Sequence, residues 1–65
     1  MIKIKRSNEI INSLISEGYT LVFSAFNGNF VKMRHLKNGN IITIYYENNG
    51  FSFYKNGKFI KSEQI

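Results

Sequence analysis

The stretch Ile41-Ile-Thr-Ile-Tyr-Tyr-Glu-Asn-Asn-Gly-Phe-Ser-Phe-Tyr-Lys-Asn-Gly-Lys-Phe-Ile-Lys61 decides the fold. Runs of Ile, Tyr and Phe alternate with polar residues and are broken by Asn-Gly pairs. This is the pattern of short strands joined by tight hairpins. Asn and Gly both tolerate the positive φ that such turns require, while β-branched and aromatic side chains suit the pleat. Two further Asn-Gly pairs, Asn27-Gly28 and Asn38-Gly39, extend the pattern toward the N-terminus.

Before the first of these turns the periodicity changes. Ile2-Lys3-Ile4-Lys5 alternates apolar and basic and reads as a short strand. Ser7 or Asn8 would then cap a helix carrying Ile10, Ile11, Leu14 and Ile15 on one stripe, and Gly18 would stop it. The expected fold is α+β. A single N-terminal helix packs on a twisted antiparallel β-meander of four to six short strands joined by Asn-Gly hairpins, open or curled into a partial barrel. Residues 1–65 form one domain.

Hydrophobic matching sets the expected registers, because a slip of one residue reverses every side chain. A three-residue loop at 27–29 pairs Leu21, Phe23 and Ala25 with His35, Met33 and Val31. Two-residue turns at the other three sites pair Met33 with Ile44, Tyr46 with Phe53, and Phe53 with Ile60. Phe23, Ile44 and Phe53 are then expected in the core under the helix. Lys55 and Lys58 fall at the margin of that face.

The opposite face collects Lys32, Arg34, Tyr45, Tyr54, Phe59 and Lys61, with Phe26 and Phe30 nearby. Rings interleaved with cations are the chemistry of single-strand nucleic-acid platforms, where bases stack and Lys or Arg follows phosphate. The same surface could equally be buried by barrel closure or by a homodimer packed across it. The formal net charge of +5 and pI near 9.8 favour polyanionic partners. A charge of this size also serves plain solubility, for which roughly 2 to 8 of either sign suffices.

Other chemistry is thinly represented. The chain has no Cys and no Asp, and a single His, so neither a disulfide framework nor a thiolate metal site is available. His35 is expected near Leu21 and Ile42 as a hydrogen-bonded edge residue, and Glu9, Glu17, Glu47 and Glu63 as solvated carboxylates. No catalytic residue, cofactor or metal is assigned. With an amphipathic start and no long apolar run, the expected location is the cytoplasm, with no membrane partner.

A helix followed by Gly18-Tyr19-x-Leu21-Val22 and hairpin strands loosely resembles the HicA-type ribonuclease toxins over residues 9–44. That resemblance would imply a double-stranded-RNA-binding-like layout. Where the toxins carry Gly-Ser-His, this chain reads Gly28-Asn29-Phe30, and further hairpins replace their closing helix. The catalytic histidine is therefore not carried over, and the chain is not assigned to the family.

The expectation is a non-catalytic binding protein. It acts on nucleic acid, single strands before duplex, or on an acidic or nucleic-acid-bound enzyme, through the basic-aromatic face. The alternative is a phage- or mobile-element-encoded inhibitor that blocks a host defence enzyme by protein contact. Small size and Tyr and Arg anchors fit both.

Overall fold

The computed structural model describes residues 2–25 and 29–65. One helix, α1 (Ile2–Ser16), precedes five strands: β1 (Tyr19–Ser24), β2 (Phe30–His35), β3 (Ile41–Glu47), β4 (Gly50–Lys55) and β5 (Lys58–Gln64). The strands form one antiparallel meander in the order β1-β2-β3-β4-β5. The sheet stays open, with β1 and β5 as its edges, so it is not a barrel.

The expected strand at residues 2–5 is instead the first turn of α1, and Ser7 lies inside the helix rather than capping it. Four alternating residues cannot distinguish the two periods, but the longer pattern can. Lys3, Arg6, Ser7, Ile10, Ile11 and Leu14 are the half-buried or buried positions, a spacing of three and four. The Lys3 ammonium lies 4.4 Å from the centre of the Tyr46 ring, and Arg6 pairs with Glu63. Lys3 and Arg6 thus lie one turn apart on the side of α1 that faces the sheet. Gly18 ends the element as expected, at φ 102°.

The core is Ile10 of α1 with Val31, Met33, Ile42, Ile44, Phe51 and Phe53 from the three central strands. Ile44 and Phe53 are buried as expected. Phe23 is not: it is 56% exposed. Full burial of an aliphatic or aromatic side chain contributes about 1.5–3 kcal/mol, so seven such residues matter greatly to a chain this short.

All four hairpins depart from the expected registers, the last only beyond a bulge. At β2–β3, Val31 faces Ile44 and Met33 faces Ile42, because residues 36–40 form the loop instead of Asn38-Gly39 alone. Asn38 Oδ1 accepts from the Asn40 N–H at 2.9 Å, a local turn that lengthens the connection. At β3–β4 the turn is Asn48-Asn49, at φ 52° and 57°, not Asn49-Gly50. Tyr46 therefore faces Phe51 rather than Phe53. Both slips are two residues long, so the buried side of β2, β3 and β4 remains the expected one.

At β1–β2, Leu21 faces Met33, a bulge at Val22 follows, and Phe23 then faces Lys32. The expected turn at Asn27-Gly28 and the placement of Phe26 lie outside the described residues. At β4–β5 the Asn56-Gly57 turn forms as expected, with φ 50° and 86°, and Lys55 faces Lys58. A bulge at Ile60 then sets Phe53 against Lys61 instead of the expected Ile60. The Asn56 side chain adds its own links, accepting from Ile41 N–H at 2.8 Å and donating to Asn40 Oδ1 at 3.1 Å.

Candidate functional site

The face of the sheet turned away from α1 carries a row of five aromatic rings, one from each strand. Phe23, Phe30, Tyr45, Tyr54 and Phe59 follow one another at centroid separations of 5.9, 5.1, 5.4 and 5.6 Å. Register explains the path. Phe30 lies directly across from Tyr45, and Tyr54 directly across from Phe59. The remaining two steps are diagonal, within reach of aromatic side chains. The rings meet tilted or edge to face, a favoured aromatic geometry.

Exposure varies along the row. Phe23, Tyr45 and Phe59 are exposed, whereas Phe30 and Tyr54 between them are half-buried. The open rings therefore recur every second strand, roughly 10 Å apart given a strand spacing near 4.8 Å. A shallow depression of about 410 Å³ lies among Thr43, Tyr45, Glu47, Tyr54 and Gly57.

The charges flank this row unequally. Lys32 and Arg34 project from β2 on the same face, Lys32 opposite both Phe23 and Thr43. Arg34 lies one step further, opposite Thr20 and Ile41. Glu47 lies across the row at the other end of β3, opposite Gly50. Among the described residues, Lys32 and Arg34 make no ion pair.

Of the six candidate residues, Lys32, Arg34, Tyr45, Tyr54 and Phe59 are thus brought together. Lys61 is not. The bulge at Ile60 turns it to the helix side, where its ammonium lies 4.9 Å from the centre of the Phe53 ring. Phe23 replaces it on the open face. Hydrophobic matching assigned Phe23 to the core because Leu21-Val22-Phe23 is a continuous apolar run, in which a bulge leaves no mark. Phe30 was on the expected face but lacked a role until its neighbours were known.

On the helix side, the Arg6 guanidinium binds Glu63 through two nitrogens, with Nη2 donating to Oε1 at 2.8 Å. Arg6 Nη1 also donates to Glu9 at 3.2 Å. The Arg6 hydrogen bonds hold the Glu63 carboxyl below its ordinary value, outweighing partial burial. These groups rim a cleft of about 260 Å³ floored by Ile10, Ile42 and Phe53.

His35 is occupied structurally, beside Tyr19 rather than Leu21 and Ile42. Its ring meets Tyr19 edge on at 4.9 Å. The backbone N–H groups of Lys37 and Asn38 lie 3.2 and 3.3 Å from Nδ1, so Nδ1 accepts and Nε2–H donates to Glu17 O at 3.0 Å. A side chain at Gly18 would come within 2.8 Å of that Nε2. The histidine thus ties the end of α1 to the β2–β3 loop. Among the described residues, no cluster of His and Glu could hold a metal ion. No helix of the structure is long and apolar enough to cross a membrane.

The chain matches no protein-family profile, no curated protein and no solved structure. Its function must be argued from this surface.

Proposed function

We propose that the protein binds single-stranded nucleic acid on the open face of its sheet, without catalysis. The observation that carries this reading is the five-ring row with Lys32 and Arg34 along one flank. Bases stack on exposed rings at about 1–3 kcal/mol each, with little dependence on sequence. The phosphodiester backbone would run along the β2 side, where both cations lie, and away from Glu47. A duplex fits less well. Its bases are already stacked, and its phosphates would meet two cations among the described residues of this face.

The test is oligonucleotide binding by fluorescence anisotropy across a salt series, with single-stranded DNA and RNA. Two phosphate contacts imply a log–log salt slope of about −1.4, from roughly −0.7 per contact on single strands. Lys32→Glu should weaken binding to every sequence and flatten that slope. Tyr45→Ala should weaken binding while leaving the slope nearly unchanged. Lys61→Glu, on the helix side, should do neither. If no DNA or RNA binds with salt-sensitive affinity, and a host protein is retained through nuclease treatment, the surface is a protein interface. Tyr45, Tyr54, Phe59 and Arg34 would then be its anchors, as in an inhibitor of a host enzyme.

A further inference from the structure

The two free edges of the sheet differ in composition. β5, Lys58–Gln64, carries Lys58, Lys61 and Glu63 as well as a bulge. Charged side chains and bulges are the ordinary means of preventing an edge from pairing with another chain. Among the described strands, β1, Tyr-Thr-Leu-Val-Phe-Ser over residues 19–24, is the only one with no charged residue, and it has no proline. It also exposes Leu21 at 47%, Val22 at 50% and Phe23 at 56%. Its single protective device is the bulge at Val22.

We infer that β1 is a self-association edge, pairing antiparallel with β1 of a second copy about a two-fold axis. Charge selects this occupant. Each copy carries +5, so any joint that includes β5 brings Lys58 and Lys61 against another basic chain. The β1–β1 joint alone between free edges is neutral on both sides. Symmetry separates the two arrangements: a β1–β5 contact is head to tail and builds rings or filaments, whereas β1–β1 is isologous and stops at two. An acidic partner would find no cation on this strand to recognise.

The pairing satisfies outward-facing backbone groups of β1 and covers apolar side chains on both sides of the sheet. Leu21 lies on the helix side and Phe23 on the open side. The result is a ten-stranded sheet in which two aromatic rows lie on one continuous face. A six-residue edge is a small interface, so the association is concentration-dependent rather than permanent. The dimer itself does not depend on the nucleic-acid reading; only the value of the joined face does.

Sedimentation of the full chain from tens to hundreds of micromolar tests this directly. The wild type should pass from monomer to dimer with concentration and stop there. Val22→Lys should remain monomeric at the highest concentration, and Ile60→Lys, at the other edge, should dimerise as the wild type does. Because Val22→Lys could fail to fold, single cysteines provide a second readout in a chain that has none. A flexible thiol-reactive cross-linker should join Thr20→Cys protein into a covalent dimer, and Ile60→Cys protein should stay monomeric. A wild type that is monomeric throughout overturns the proposal. So does a dimer that survives Val22→Lys and is lost with Ile60→Lys, or cross-linking that favours position 60. Oligonucleotide binding by a strictly monomeric protein would remove the dimer and leave the proposed function standing.

Discussion

The three central strands and the two edge strands of this sheet obey different rules. In β2, β3 and β4 the alternation is unbroken, and Val31, Met33, Ile42, Ile44, Phe51 and Phe53 all point under the helix into the core. In β1 and β5 a single bulge interrupts the alternation, at Val22 and Ile60. Each bulge exchanges chemistry between the faces. One sends Phe23 to the open side, where it becomes the first ring of the row. The other sends Lys61 and Glu63 to the helix side, where Glu63 meets Arg6. The centre thus supplies stability, while the edges decide what each face presents.

The sharpest way to break this comparison is to truncate one aromatic ring from each class. Phe51 is 2% exposed, whereas Phe59 is 58% exposed. Phe51→Ala should cost about 3–5 kcal/mol, which approaches the whole stability of a domain this size. Phe59→Ala should fall within roughly 0.5 kcal/mol of wild type, as surface substitutions usually do. Urea unfolding of both variants measures the difference. Comparable losses would mean that the open face is packed against something, by folding or by assembly.

A second, smaller effect separates two explanations for one glycine. Gly50 follows Asn49 and looks like a turn glycine, yet the turn residues are Asn48 and Asn49. A Cβ at Gly50 would lie 2.7 Å from the backbone oxygen of Glu63. The glycine therefore lets β5 approach β4 beside the turn. Gly50→Ala should cost about 1–3 kcal/mol through that overlap and raise amide exchange at the C-terminal end of β5. Asn49→Gly should be close to neutral, because φ there is 57° and glycine adopts it freely. The reverse ranking would restore the turn to Asn49-Gly50.

These cases show what the sequence could disclose. The existence of the hairpins and the buried parity of the central strands were legible, since an error of two residues in register leaves every side chain on its face. Turn position was less so, because Asn48 and Asn49 can both take positive φ without glycine. The bulges were not legible at all. An inserted residue in Leu21-Val22-Phe23 or Phe59-Ile60-Lys61 changes no local pattern. It is set by tertiary contacts such as Phe23 against Phe30 and Glu63 against Arg6. The five-ring row was accordingly readable at Tyr45, Tyr54 and Phe59 and hidden at Phe23.

The smallest expected effect tests whether the β5 bulge contributes anything to folding through Glu63. Arg6 lowers the Glu63 carboxyl from its ordinary value of 4.5, so the unfolded chain holds that proton more tightly than the folded one. Stability from the pair is therefore complete above about pH 4.5 and is lost as pH falls through the depressed folded value. Glu63→Gln should be less stable than wild type at pH 7, and the gap should close on acidification below 4.5. Both side chains are partly exposed, so the gap should be well below the cost of Gly50→Ala and should shrink further in high salt. Thermal melts of the two proteins at matched pH and salt provide the comparison. A gap that is constant from neutral to acid pH would show that the pair does not form in solution. Glu63 would then reach the helix side with no partner, and the Ile60 bulge would serve only to blunt the β5 edge.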